Sequence, residues 1–128
     1  MRKFTFAAAA AALLGGAWGL FYLYRGMGAA DVIRGLSGLR MALALYAEEH
    51  KGPPASYAEV IRSGKLEEAP LLKLRRHRGA SSVKDVPSRQ VRDTGGWAYV
   101  NVPGSPDFGL VFIDCSHMDE KGRFWSEF

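Results

Sequence analysis

Residues 4–24 read FTFAAAAAALLGGAWGLFYLY, and the reading of this stretch decides the fold. It holds no charged side chain. As a helix its 21 or so residues span roughly 31 Å, which matches a hydrocarbon core about 30 Å thick. Phe4, Leu13, Leu14, Leu20, Phe21 and Leu23 are the large apolar side chains that predict a membrane or assembly helix. Trp18, Tyr22 and Tyr24 lie towards its end, where amphipathic rings favour a water–lipid boundary. Arg2 and Lys3 precede the run and Arg25 follows it. That bias favours a cytoplasmic N-terminus with the remainder outside. Residues 1–30 are therefore read as a retained transmembrane anchor. The rival is a cleaved secretory signal ending at the small residues Gly28-Ala29-Ala30, but the apolar run is longer than a usual signal core.

The pattern changes immediately afterwards. Val32, Leu36, Leu39, Leu43 and Tyr46 recur at steps of four, three, four and three, the stripe of an amphipathic helix over 31–50. Such a stripe needs a surface to pack on, and the strands downstream offer one. The apolar run is expected to continue into this helix, although Gly26, Gly28, Gly35 and Gly38 weaken it as a loose or soft junction. Gly52-Pro53-Pro54 ends it. Ser56 and Glu59 read as a capping box opening a short helix over 56–63.

Residues 75–94 read as a long polar, basic loop. Arg75, Arg76, Arg78, Lys84, Arg89 and Arg92, with Lys73 just before them, face only Asp85, and they carry much of the net charge of +4. The plain reading is a solvated loop; the sharper one is a contact for phosphate, nucleic acid or an acidic neighbouring subunit. No aromatic residue is interleaved, so base stacking has little support. Beyond Gly95 the alternation in 97–102 and 108–113 predicts a β-hairpin over 96–114. The segment 115–128 carries Phe124, Trp125 and Phe128, which argues that it is tied down, with a short third strand over 123–128.

This order resembles the type IV pilins and type II secretion pseudopilins. The matching residues are Leu43-Ala44-Leu45-Tyr46, Gly52-Pro53-Pro54, Ser56-Tyr57 and Lys65-Leu66 in the helix exit and connector, then Gly95-Gly96-Trp97-Ala98-Tyr99 and Asp119-x-x-Gly122 towards the C-terminus. The resemblance covers 32–128. It implies an α+β, pilin-like fold: a long N-terminal helix, membrane-spanning in its first half, packed on a small antiparallel sheet. It implies a structural subunit of a pilus or secretion assembly, in contact with membrane lipid and with other pilin-like subunits through the helix. The location implied is a bacterial inner membrane, single-pass, with the 31–128 domain periplasmic or extracellular. The N-terminus departs from the family. Lys3 stands before Phe4 where the family's peptidase needs glycine, and Ala8 occupies the place of its early glutamate. A minor or capping subunit, a diverged anchored relative, or a chain with an altered start would each fit that departure.

Motifs of chemistry are sparse. No P-loop, nucleophile elbow, C-x-x-C or H-E-x-x-H pattern occurs, so no enzyme activity and no cofactor are expected. His50, His77 and His117 show no ligand spacing and read as surface or turn residues. Cys115 is the only cysteine, so no intrachain disulfide forms, and it reads as a buried small hydrophobe. Asp114, Asp119 and Glu120, near Cys115 and His117, are a weak calcium candidate.

Overall fold

The computed structural model describes residues 2–128, with the side chains of 2–4 outside the description; Phe4 of the sequence reading therefore lies outside the described side chains. Helix α1 spans Arg2–Tyr24 and helix α2 spans Ala29–His50. They are two helices, which corrects the expectation of one continuous rod. The chain leaves helical geometry at 25–28, where Gly28 takes an extended conformation as the N-cap of α2. Gly26 lies so close to residues 74–75 that a Cβ there would stand 2.9 Å from the Arg75 nitrogen.

α2 folds because its stripe is buried. Val32, Leu36, Leu39, Leu43 and Tyr46 all join one core with Tyr57, Val60, Trp97, Tyr99, Val111 and Ile113. Gly35 lets the sheet approach: a Cβ there would meet the Trp97 ring at 3.1 Å and Pro70 at 3.3 Å. This glycine is a packing requirement of the helix–sheet interface rather than a soft point.

The short helix α3 spans Tyr57–Arg62. Ser56 caps it by accepting from the Ala58 N–H, but the expected capping box does not close. Glu59 instead accepts from the Tyr46 hydroxyl at 2.8 Å. The acidic partner of this N-terminus is Asp85, which accepts from the Tyr57 N–H and the Ser56 hydroxyl.

Asp85 belongs to a strand that the sequence reading placed in a loop. β1 is Val83–Val86, β2 is Gly96–Val100 and β3 is Val111–Asp114, in the order β1-β2-β3. β2 and β3 pair antiparallel, while β1 pairs parallel to β2. The sheet is thus mixed, which corrects both the antiparallel sheet and the unbroken loop over 75–94. β2 is buried along its whole length, so its second edge needs a pairing partner for its backbone groups. β1 supplies it, with Val86 joining Ala98, Val100 and Phe112 in a smaller cluster on the face away from α2. The C-terminus forms a 3₁₀ turn, Trp125–Glu127, in place of the expected third strand. Trp125 enters the main core, and Arg40 of α2 donates to the carbonyls of Val111 and Phe128.

Candidate functional site

Two features stand out from the packed domain, and they adjoin each other. The first is α1. From Thr5 to Tyr24 it is apolar, with a mean hydropathy of 1.7, and none of it is buried. Phe6, Leu13, Leu14, Trp18, Leu20, Phe21 and Leu23 are all exposed. Among the described residues it is the helix long and apolar enough to cross a membrane.

Its end is fastened to the domain. The Leu23 carbonyl accepts from the Arg76 N–H at 2.6 Å, and the Met27 N–H donates to the Lys73 carbonyl at 2.7 Å. The Lys73 ammonium donates to the Arg25 and Leu74 carbonyls and lies 4.8 Å from the centre of the Tyr22 ring. Terminal helix carbonyls lack intrahelical partners, and segment 73–76 provides them.

The second feature begins one residue later. His77 follows Arg76, which has a φ of 65°. The side chain of His77 packs against Gly95, where a Cβ would lie 2.2 Å from the His77 Cγ. Gly95 itself has a φ of 73°, so both its space and its conformation require glycine. On the other side of Gly95, a turn over 92–94 is held by Asp114 at the end of β3. The Asp114 carboxylate accepts from the N–H groups of Arg92, Asp93 and Thr94 and from the Thr94 hydroxyl at 2.7 Å. That turn, with Asp93 at a φ of 60°, aims the Asp93 carboxylate towards His77. Cys115 and His117 follow Asp114 directly, and the His117 N–H donates to the Cys115 sulfur at 3.4 Å.

Four potential ligand atoms converge as a result. His77 Nε2 is 3.3 Å from His117 Nδ1 and 3.3 Å from Asp93 Oδ1. Cys115 Sγ is 3.5 Å from His77 Nε2 and 3.4 Å from His117 Nδ1. His117 Nδ1 is 3.4 Å from Asp93 Oδ1, and all four atoms lie within 4.8 Å of one another. Cys115 is fully buried, the His77 side chain is 10 % exposed, and those of His117 and Asp93 are 30 % and 39 % exposed. Burial pushes the Cys115 thiol up to about 11, against the opposing His117 N–H and with Asp93 and Asp114 adding to the rise. Burial works to raise Asp93, but the Ser116 N–H and hydroxyl and the two imidazoles outweigh it and hold the carboxyl below its ordinary range.

The sequence reading missed this cluster. It treated the three histidines as unrelated and did not single out Asp93. The local signal was Cys115-x-His117, two donors on one side of a strand end; the partners 38 and 22 residues upstream have no spacing rule. His50 stays apart, stacked on Tyr46.

The calcium candidate does not assemble. Asp114 is saturated by the 92–94 turn. Asp119 accepts from the Lys121 and Arg123 N–H groups and forms a two-pronged pair with the Arg123 guanidinium. Glu120 reaches the other way and accepts from the Ala29 N–H, capping α2. Three carboxylates spent on separate backbone groups leave no shared oxygen cage.

The basic residues also divide. Arg75, Arg76, Arg78, Lys84, Arg89 and Arg92 are all exposed. Arg75 and Arg76 line a cleft with Tyr24, His117 and Met118 beside the end of α1. Arg89 lies elsewhere, donating to the Ser126 carbonyl near Arg40.

No protein-family model, curated protein or solved structure matches this chain. Fold and site together define an α+β domain with a mixed sheet, carried behind one helix of membrane-spanning length.

Proposed function

We propose that this chain is a membrane-anchored, pilin-like structural subunit, held in a bacterial inner membrane by α1 and presenting residues 29–128 on the outer side. One observation carries the reading. α1 exposes apolar side chains around its full circumference, whereas the helix directly after it buries its stripe against the sheet. Each large apolar side chain gains about 1.5–3 kcal/mol on leaving water, so α1 requires lipid, neighbouring helices, or both. Arg25, Arg75 and Arg76, exposed beside the last turn of α1, stand at the level where lipid headgroups begin. The neighbours in this reading are other helices of the same kind. Gly15, Gly16 and Gly19 face open space and allow close approach there.

The function is one of assembly, with no catalytic step assigned. Lys3 and Ala8 stand where the family has its processing glycine and its glutamate, so the subunit enters an assembly by a route that does not use those groups. Photo-crosslinking from Leu13 or Leu20 in membranes tests the proposal. Crosslinks to other single-pass helices are expected; a chain that yields none and remains monomeric in membranes would contradict it.

A further inference from the structure

We infer that His77, Asp93, Cys115 and His117 form a tetrahedral site for a divalent transition-metal ion, zinc above all. Three arguments converge on this. The first is distance. Zinc sits about 2.3 Å from sulfur and about 2.0–2.2 Å from nitrogen and oxygen, so a tetrahedron around it has edges of about 3.3 Å between N or O donors and about 3.6 Å between S and N. Five edges of the observed cluster measure 3.3, 3.3, 3.4, 3.4 and 3.5 Å.

The second is proton counting. The N···N and N···O separations exceed the 2.7–3.2 Å or so of good N–H···O bonds. A neutral imidazole carries one ring proton, yet each of the two converging nitrogens faces three other donor atoms. One ring proton serves one of these contacts at a time, whereas one cation at the centre would satisfy them all. The Cys115 sulfur also accepts the His117 N–H at 3.4 Å, an arrangement that suits a thiolate ligand.

The third is charge and shape. One thiolate and one carboxylate neutralise a dication, so the half-buried site carries no net charge. Cys₁His₂ with a carboxylate is a donor set that zinc accepts and that calcium or magnesium does not. All four positions come from the protein, which makes the site structural rather than catalytic. Asp93 and His117, partly exposed, give the ion its way in.

The consequence lies in what is joined. The ion ties the 73–77 segment to the 92–95 turn and to the end of β3, in a chain whose single cysteine excludes an intrachain disulfide. Segment 73–76 holds the Leu23 carbonyl of α1 and the Arg25 carbonyl just after it. The metal therefore braces the junction between anchor and domain. This inference does not depend on the pilin-like reading.

The test uses the full chain purified in detergent. Elemental analysis after zinc loading and dialysis is expected to give about one equivalent per chain. Cobalt substituted for zinc should show the visible absorption of a tetrahedral site together with a sulfur-to-metal charge-transfer band. Chelation should lower the melting temperature reversibly, and zinc should restore it. Cys115→Ser and His77→Ala should each weaken binding by more than the ~10–100-fold that loss of an outer partner costs, while His50→Ala leaves it unchanged. A wild-type chain that retains no zinc and melts identically with chelator overturns the inference. So does cobalt binding that is equal, with an equal spectrum, in Cys115→Ser.

Discussion

Asp114 shows how one side chain organises a site it does not enter. Its carboxylate takes three backbone N–H groups and one hydroxyl and so fixes the turn that presents Asp93. Hydrogen bonds to a charged group contribute about 1.5–3 kcal/mol each at most, and several are lost together in Asp114→Ala. A fall in stability of about 3 kcal/mol in urea unfolding is expected, and an unchanged midpoint would refute the assignment. Gly95→Ala combines a left-handed backbone with a collision against His77, and about 1–3 kcal/mol of strain is expected. Two buried tyrosines set the alkaline limit. The hydroxyls of Tyr57 and Tyr99 donate to the carbonyls of Leu39 and Pro54. Burial raises both, Tyr99 from 10.0 to about 12, with Asp85, Glu59 and Tyr46 adding to the rise. The unfolded chain loses these protons first, so both contributions are complete below pH 10, and that of Tyr99 is lost as pH rises through about 12. Melting temperature against pH checks this; Tyr99→Phe should flatten the alkaline decline. At this scale the sequence was hard to read. Cys115, His117, His77 and Asp93 meet only because three separate segments converge, and residue type alone cannot announce that.

At the scale of elements, legibility followed periodicity. The five-residue stripe from Val32 to Tyr46 is long enough to identify a helix face, and those side chains are buried together. β2 and β3 are apolar runs bounded by turns, and they pair as a hairpin. β1 is only Val83-Lys84-Asp85-Val86, two apolar residues within a run of cations, and its strand character comes from the open edge of β2. Long-range pairing overrode local composition there. The break at 25–28 was marked by Gly26 and Gly28, but the backbone partners that hold it, Lys73 and Arg76, and the close approach of Arg75 are in no local pattern. Trp97 is where α2 and the sheet meet, with its ring against Gly35 and its indole N–H donating to the Pro70 carbonyl at 2.7 Å. Trp97→Ala should cost about 3–5 kcal/mol, read as a shifted denaturation midpoint. Gly35→Leu should damage the same interface from the helix side.

For the whole molecule, the division is between a helix that solvates poorly in water and a domain that is complete without it. α2, the sheet and the C-terminal turn enclose the core, and no residue of α1 from Thr5 to Tyr24 belongs to it. The cleft of ≈ 220 Å³ lined by Gly26, Met27, Gly28, Arg75 and residues 118–120 marks the seam between the two parts. Residues 25–128, which keep Gly28 as the N-cap of α2 and Met27 against the core, should therefore fold and remain in aqueous solution. The most direct measurement is alkaline carbonate extraction of membranes carrying the full chain, compared with the 25–128 fragment in the same cells. The full chain should stay with the membrane pellet while the fragment stays soluble. A full-length chain of intact mass released into the carbonate supernatant would contradict the account.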